Sequence, residues 1–169
     1  AIRILKSKGY NNIILHIVGS SPQRMYIGWY DEQIKKMVKQ YKLEDNVVFH
    51  GEIHNMVKIR GKMNVELMCA IRETFGRVTV EGMRSGLLVI GSNTGGTLEI
   101  INDGVNGLLY EQGNYKDLAT KIEKVYKDNN LYQKICKNGY NFSQNHFTPD
   151  ENVKKIYAVM KEVCKGDDL

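Results

Sequence analysis

The sequence predicts an α/β fold, a Rossmann-like doubly wound parallel sheet followed by C-terminal helices. Short apolar runs alternate with amphipathic stretches from residue 13 to residue 109, which is typical of consecutive β-α-β units. The runs carry few polar residues, so we expect the strands to be covered on both faces. After residue 109 only helical periodicity follows, and right-handed crossovers with this order give a doubly wound sheet.

Each element is predicted from its local pattern. Apolar runs predict five strands, at residues 13–18, 47–49, 65–69, 87–90 and 107–109. Helical periodicity predicts helices between them, at residues 29–41, 55–62, 76–85 and 97–101. Three more helices are expected after the fifth strand, at residues 115–127, 131–138 and 150–164.

The first residues have an unusual pattern for the start of such a fold. Residues 1–5 have the pattern of the end of a helix, and that helix should follow a strand. A length of 169 residues suits one well-packed core. We therefore expect residues 1–169 to form a single domain whose first strand lies outside the sequence.

Composition and charge exclude several classes of protein. Hydrophobic residues make up 42% and charged residues 25%, without a long uncharged apolar run, so neither a membrane span nor a signal peptide is expected. The three widely spaced cysteines fit neither a disulfide framework nor paired metal ligands, and we expect reduced thiols in the cytoplasm. Lys and Arg outnumber Asp and Glu by 24 to 19, but the lysines are spread along predicted helices. We expect a solvated basic surface and no nucleic-acid partner.

One loop at the carboxyl end of the predicted sheet has the residues of an anion site. The segment 72–76 follows the third strand and opens the helix that contains Glu81. Ligands of such sheets bind at this edge, where a helix start favours negative charge and Gly76 lets backbone amides approach a diphosphate. Glu73 and Glu81 could accept hydrogen bonds from hydroxyls on two sugars of one ligand. Arg24 and Arg72 could reach phosphate or could equally be surface residues.

A second loop could form the other wall of the same pocket. Gly95 and Gly96 enter a helix that contains Glu99, and they offer exposed amides and a tight turn. No GxGxxG follows a strand and no GxxxxGK[ST] is present, so neither a dinucleotide fingerprint nor a Walker-type loop is predicted. Simpler explanations remain open: Glu73 as a solvated loop carboxylate, Glu81 as a helix-surface charge, and Glu99 as a partner of its helix dipole.

The spacing of these acidic residues and glycines, within residues 73–101, resembles a known family. It is similar to the Glu-x7-Glu motif and the Gly-Gly-x-x-Glu segment of the retaining family 4 (group 1) glycosyltransferases. Residues 15–19 and 47–51 resemble that family's strands before the diphosphate loop and the base-binding turn, and the similarity extends over about residues 1–145. The resemblance implies a C-terminal, nucleotide-sugar-binding domain, one half of a GT-B fold, with the acceptor-binding N-terminal domain outside the sequence.

The resemblance also implies roles for single residues. Glu73 is the implied catalytic residue and contacts the donor hexose, while the amides around Phe75 and Gly76 meet the sugar and the diphosphate. Glu81 is implied to bind the ribose hydroxyls, and the turn at residues 50–53 holds the base through its backbone. The full implied donor-binding set is Glu73, Thr74, Phe75, Gly76, Val78, Glu81, His50, Gly51, Ile53, Gly19, Gly95 and Gly96.

Two positions depart from the family pattern. Leu88 stands where the family usually has Pro, and Gly82 where it usually has Ala, and we expect both to be packing changes. The family's Gly-Arg pair and Lys, which neutralise the diphosphate, belong to a segment before the helix that opens this chain. His16 lies in a predicted strand and is expected in the core, whereas His50 is a modest candidate for the base pocket.

The implied activity is transfer of a hexose from a UDP- or GDP-sugar to an acceptor hydroxyl with retention, in polysaccharide or glycoconjugate synthesis. Neither a cofactor nor an obligatory metal is implied, and no His/Cys/Asp cluster has metal-ligand spacing. A glycan or lipid-linked acceptor would bind through the missing domain, in the cytoplasm or at the inner face of the cell membrane, and residues 1–169 alone should be inactive. Two alternatives stay open: a nucleotide-sugar epimerase or phosphorylase of the same two-domain fold, and a non-catalytic binding module.

Overall fold

The predicted strands and helices are present in chain order. A computed structural model describes residues 1–19 and 28–165 of the chain. The strands are β1 Leu15–Val18, β2 Val47–Gly51, β3 Val65–Met68, β4 Leu88–Ser92 and β5 Leu108–Tyr110. The helices are α1 Ile2–Ser7, α2 Gly28–Gln40, α3 Met56–Arg60, α4 Arg77–Arg84, α5 Thr97–Ile100, α6 Tyr115–Lys127, α7 Asn129–His146 and α8 Pro149–Lys165. The predicted α/β fold with C-terminal helices is confirmed.

Paired strands are parallel, but their hydrogen bonds form two sheets. β1 pairs with β2, with Leu15 opposite Val47. β4 lies between β3 and β5, with Val65 opposite Leu88 on one side of it and Leu108 opposite Ile90 on the other. Within the described ranges no strand pairing joins β1 to β3, so each of these strands has one unpaired edge. We call the division between the two sheets the seam.

Strand β4 is the centre of the hydrophobic core. Its residues alternate between two clusters of buried side chains, one on each face of the sheet. Leu88 and Ile90 pack in the cluster that contains Leu5 of α1 and Ile135 of α7. Val89 packs in the other cluster, with buried residues of α4 and of the segment around α5. Burial of each such side chain contributes about 1.5–3 kcal/mol, so β4 and its helices hold the loops at the carboxyl edge of the sheet in place.

The expectation that every strand is covered on both faces is wrong for β2. Val48 is 39% exposed and Phe49 is 38% exposed. The residues of β1 are only half-buried. Among the described strands, β2 has β1 as its single neighbour and packs mainly against it, which leaves part of its apolar surface in water.

Helix α7 is longer than predicted. It begins where Asp128 accepts a hydrogen bond from the amide of Leu131, and it continues through Gly139 to His146. A Cβ atom at position 139 would lie 2.7 Å from the carbonyl oxygen of Asn106. Gly139 therefore allows α7 to pack closely on the loop before β5, and it does not end the helix.

The sequence predicted neither a disulfide framework nor a membrane span. Cys69, Cys136 and Cys164 are free thiols, as expected. Among residues 1–19 and 28–165, no helix has the length and apolar character of a membrane span.

Glu123 on α6 ties the C-terminal helices to the segment after α1. Its carboxylate accepts hydrogen bonds from Lys127, at 2.7 Å, from Lys8, and from the hydroxyl of Tyr10, at 3.0 Å. Hydrogen bonds from Lys127, Lys8 and Tyr10, in that order of effect, lower the pKa of Glu123 from 4.5 to about 2. A carboxyl with a lowered pKa in the folded state stabilises the fold above its unfolded pKa, and this contribution is lost as the pH falls through its folded pKa.

We predict that Glu123→Gln lowers the free energy of unfolding at neutral pH, and that the difference from the unsubstituted chain shrinks as the pH falls from 4.5 to 2. Denaturant unfolding followed by circular dichroism across this range measures the difference. Glu162→Gln, at an exposed position of α8, is the matched control and should behave like the unsubstituted chain. A Glu123→Gln difference that does not change between these pH values would contradict the assignment.

Candidate functional site

The start of α4 is built around Gly76. This residue precedes the helix with a left-handed backbone, at φ 89° and ψ 38°. A Cβ atom there would lie 2.7 Å from the Cδ1 atom of Ile100, so a larger residue would clash as well as strain the backbone. The absence of a side chain brings the start of α4 close to α5.

The carboxylate of Glu73 accepts hydrogen bonds from backbone amides at the start of α4. Its Oε1 atom accepts hydrogen bonds from the amide of Phe75, at 3.2 Å, and from the amide of Gly76, at 2.8 Å. The positive end of the helix dipole favours this placement of a negative charge. These two amides are therefore not free, and an anion at this position would compete with Glu73. The amides of the first turn of α4, up to Thr79, have no acceptor within the helix.

The loop with Gly95 and Gly96 lies directly against the Glu73 segment. The amide of Gly96 donates to the carbonyl oxygen of Glu73 at 2.9 Å. A Cβ atom at Gly95 would lie 2.1 Å from the same oxygen, and one at Gly96 would lie 2.6 Å from the carbonyl oxygen of Thr74. The structure thus joins the two loops that the sequence singled out, through backbone contacts that require glycine.

Other polar contacts tie the ends of β3 and β4 together at the same edge. The buried hydroxyl of Ser92 donates to the carbonyl of Ala70 at 2.7 Å, and Thr94 donates to the carbonyl of Ile71 at 3.3 Å. Gln112, after β5, donates to that same carbonyl. This role of the three side chains was not predictable from the sequence, because hydroxyl and amide groups in loops carry no pattern that identifies their partners.

Glu81 lies on the second turn of α4 and is held by arginine. Its Oε2 atom accepts a hydrogen bond from Nη1 of Arg60 at 2.9 Å, and Oε1 lies 3.7 Å from Nη2 of Arg77. The Nε atom of Arg60 also donates to Oε2 of Glu66 on β3 at 2.9 Å. Burial lowers the pKa of Arg60, but the hydrogen bond and charge of Glu66, and then those of Glu81, outweigh it and raise that pKa. Neither Arg60 nor Glu66 was predicted from the sequence to take part in this site.

The remaining predicted residues lie at the carboxyl ends of β1 and β2. The amide of Gly19 donates to the carbonyl of Gly51 at 2.7 Å. Nδ1 of His16 lies 2.8 Å from Nε2 of His50, and the two rings stack with centroids 5.1 Å apart. The expectation that His16 lies in the core is wrong, because it is half-buried and contacts His50 on the neighbouring strand. Ile53, just beyond Gly51, is half-buried.

The predicted site residues thus fall into two groups on the two sides of the seam. Glu73, Glu81 and the two glycines belong to the β3–β4–β5 sheet, and Gly19 and the 50–53 turn belong to the β1–β2 sheet. Phe75 and Val78 are exposed at the start of α4, at 55% and 37%. A cavity of about 490 Å³ lies elsewhere, lined by α1, β1 and α2. Arg24 lies outside the described residues.

In the part of the chain that the structure describes, no three His, Cys, Asp or Glu side chains come together as a metal site.

Comparison with known proteins identifies the fold and the family. The chain is 29% identical over 169 residues to the capsular polysaccharide biosynthesis glycosyltransferase CapM of Staphylococcus aureus, covering 98% of this chain and 43% of CapM. It superimposes with a TM-score of 0.81 on HepE of Anabaena in complex with UDP, at 24% identity, covering 89% of this chain and 41% of HepE. It also matches the C-terminal domain of the group 1 glycosyl transferase LpcC of Francisella tularensis, with a TM-score of 0.76, 26% identity, and coverage of 86% and 75%.

The fold is a Rossmann-like half of the GT-B fold. Its strands are parallel with helices on both faces, and glycines line the contact between two loops at the carboxyl edge. The chain belongs to the glycosyl transferases group 1 family, which matches residues 1–142. It spans 43% of the length of CapM, less than half of that relative.

The close contact between Gly95 and the carbonyl of Glu73 leaves no room for a side chain at position 95. Gly95→Ala should lower the free energy of unfolding by about 1–2 kcal/mol for the left-handed backbone at φ 49°, and by roughly 1–3 kcal/mol more because the Cβ atom meets the carbonyl of Glu73. Gly113→Ala is the matched control, since its φ is 76° but its Cβ atom would meet nothing within 4 Å. Chemical denaturation measures both. Equal losses would show that the two loops are not in contact.

Proposed function

We propose that the chain is the donor-binding half of a retaining, family 4 glycosyltransferase that transfers a hexose from a UDP- or GDP-sugar to an acceptor hydroxyl. The observation that carries the proposal is the junction at the start of α4, where a carboxylate, helix amides and a glycine loop meet. Membership of the group 1 family supports it. HepE has been crystallised with UDP and with UDP-glucose, and CapM acts in capsular polysaccharide biosynthesis. Polysaccharide or glycoconjugate synthesis is the corresponding role for this chain.

In this proposal the donor lies across the carboxyl edges of both sheets. Ligands of doubly wound folds bind where the strand order reverses, and the seam is the corresponding place here. Gly19 and the turn of His50, Gly51 and Ile53 hold the base from the β1–β2 side. Glu81 accepts hydrogen bonds from the ribose hydroxyls.

The diphosphate of the donor takes the place of the Glu73 carboxylate at the start of α4. Two negative groups cannot share the amides of Phe75 and Gly76, so the carboxylate turns away when the phosphate groups bind. It is then free to accept hydrogen bonds from the hexose, which is the role proposed for Glu73. Thr74 and Val78 flank the phosphate groups, and Gly95 and Gly96 face them from the neighbouring loop.

Stabilisation of the leaving diphosphate is the main electrostatic task of the reaction. The amides and dipole of α4 supply part of this stabilisation. We propose that cationic side chains outside residues 1–169 supply the rest and that the reaction needs neither a metal nor a cofactor.

The unpaired edges of β1 and β3 support the proposal that residues 1–169 belong to the C-terminal domain of a larger protein. In the 3-2-1-4-5-6 order of doubly wound sheets, the strand that precedes α1 lies between the strands that correspond to β1 and β3. Such a strand would pair with both edges and close the seam. The acceptor, a glycan or a lipid-linked sugar, would bind to the other domain, in the cytoplasm or at the inner face of the cell membrane.

We predict that Glu81→Ala weakens binding of the free nucleotide diphosphate about tenfold, because hydrogen bonds to the ribose hydroxyls are lost. Glu73→Ala should instead weaken binding of the nucleotide sugar relative to the free nucleotide. Isothermal titration of the complete enzyme with UDP, GDP and the matching sugars measures these affinities. Unchanged affinities in both variants would rule out the assigned roles, and 2-epimerisation or phosphorolysis of the donor would favour the alternative enzymes.

We also predict that residues 1–169 alone catalyse no sugar transfer, because the acceptor site and the diphosphate cations lie outside them. An assay that follows release of UDP or GDP in the presence of acceptor, with the complete enzyme as the positive control, tests this. Transfer by residues 1–169 alone would contradict the two-domain proposal.

A further inference from the structure

Arg60 is a buried arginine that joins three elements at the side of the candidate site. It is the last residue of α3, is 5% exposed, and donates to Glu66 on β3 and to Glu81 on α4. The planar guanidinium group presents its donors in a fixed geometry, so contacts through Nε and Nη1 fix the positions of both carboxylates relative to each other. A flexible lysine could not reproduce this arrangement.

The contact with Arg60 is the firmer of the two restraints on Glu81. The side chain of Glu81 is 43% exposed, so without a partner it would sample several rotamers in water. Arg77 lies 3.7 Å from the other oxygen, beyond hydrogen-bond distance, and its side chain is 83% exposed. Exposed pairs of this kind restrain a carboxylate weakly. Arg60 therefore sets the orientation of Glu81 through Oε2, while Oε1 has the more distant Arg77 as its neighbour.

Gly82 makes room for this ion-pair network. A Cβ atom at position 82 would lie 3.0 Å from Cβ and 3.1 Å from Cγ of Glu66. An alanine would press on the side chain that anchors Arg60. The resembled family usually has Ala at position 82. The presence of Gly82 here is explained by Glu66, a glutamate in a strand that was expected to be apolar.

Arg60 also changes the charge that an anionic ligand meets. Glu66 and Glu81 carry two negative charges, Glu66 next to Gly82 of α4 and Glu81 on the second turn of that helix, and Arg60 offsets one of them at hydrogen-bond distance. Without it, both carboxylates would repel a diphosphate bound nearby.

We propose that Arg60 is a positioning residue for donor binding: it holds the Glu81 carboxylate in the orientation in which Oε1 accepts hydrogen bonds from the ribose hydroxyls, with the half-buried Glu66 as its anchor. This inference rests on the proposed function, since it requires that Glu81 binds the ribose.

The test compares UDP with 2′,3′-dideoxy-UDP, or GDP with its dideoxy analogue if UDP does not bind, by titration of the complete enzyme. For the unsubstituted enzyme we expect the dideoxy nucleotide to bind about tenfold more weakly, and for Glu81→Ala we expect the two nucleotides to bind equally. Arg60→Met should also abolish the preference for the ribose hydroxyls. Lys62→Met removes a neighbouring exposed charge and should retain the full preference.

A second variant separates positioning from folding. Arg60→Met alone leaves the half-buried carboxylate of Glu66, 15% exposed, without its partner, which destabilises the fold. The double variant Arg60→Met/Glu66→Gln removes that charge, so its melting temperature should recover while the preference for the ribose hydroxyls remains lost. Arg60→Lys should recover the preference only in part.

The outcomes separate the positioning role of Arg60 from the ribose-binding role of Glu81. If the preference returns together with the melting temperature in the double variant, Arg60 is a structural residue only and the inference is overturned. If Glu81→Ala loses the preference but the Arg60 variants keep it, the role of Glu81 stands and that of Arg60 falls. If the unsubstituted enzyme shows no preference, the ribose role of Glu81 is wrong, and the inference fails with it.

Discussion

The backbone contact between the loops after β3 and β4 is the constraint on which the candidate site depends. Gly96 donates to the carbonyl of Glu73, and no Cβ atom fits at Gly95 or Gly96. Because both loops follow strands of one rigid sheet, with β4 fully buried, their separation is set by the core. A glycine is also required at position 76, because a Cβ atom there would clash with Ile100 of α5. Backbone atoms packed this closely leave little freedom for relative motion, which is a condition for precise binding of a polar ligand.

Electrostatics at this junction are balanced inside the protein. Glu73 neutralises the start of α4, and Arg60 neutralises part of the charge of Glu66 and Glu81. Each acidic group of the site thus has a positive partner, either a helix dipole or a guanidinium group. In the proposed function, a ligand with two phosphate groups would exchange one of these partnerships, that of Glu73 with the start of α4, for its own.

Much of the fold was predictable because its patterns are local. Five apolar runs locate five strands, and α6 has the bounds expected from its periodicity, with Asn114 capping its first amides. Helix α7 was predicted to end at residue 138 but continues to His146, and the packing of Gly139 against Asn106 depends on a distant loop. The exposure of Phe49 and the pairing of His16 with His50 depend on which strands are neighbours. The roles proposed for Glu73 and Glu81 come from a spaced motif that can be read along the chain, whereas the Arg60 network joins three elements and has no signature in the sequence.

In residues 1–169 taken alone, where no described strand closes the seam, the proposed donor would have an additional effect on stability. The two sheets share no strand pairing within the described residues, so the hydrogen-bonded sheet does not link them directly. A nucleotide sugar held by its base on one sheet and by its sugar and phosphate groups on the other would act as a non-covalent cross-link between them. Binding of the nucleotide sugar would then raise the free energy of unfolding of the domain, as any ligand that binds only the native state does. The substrate would in that sense complete the architecture that recognises it.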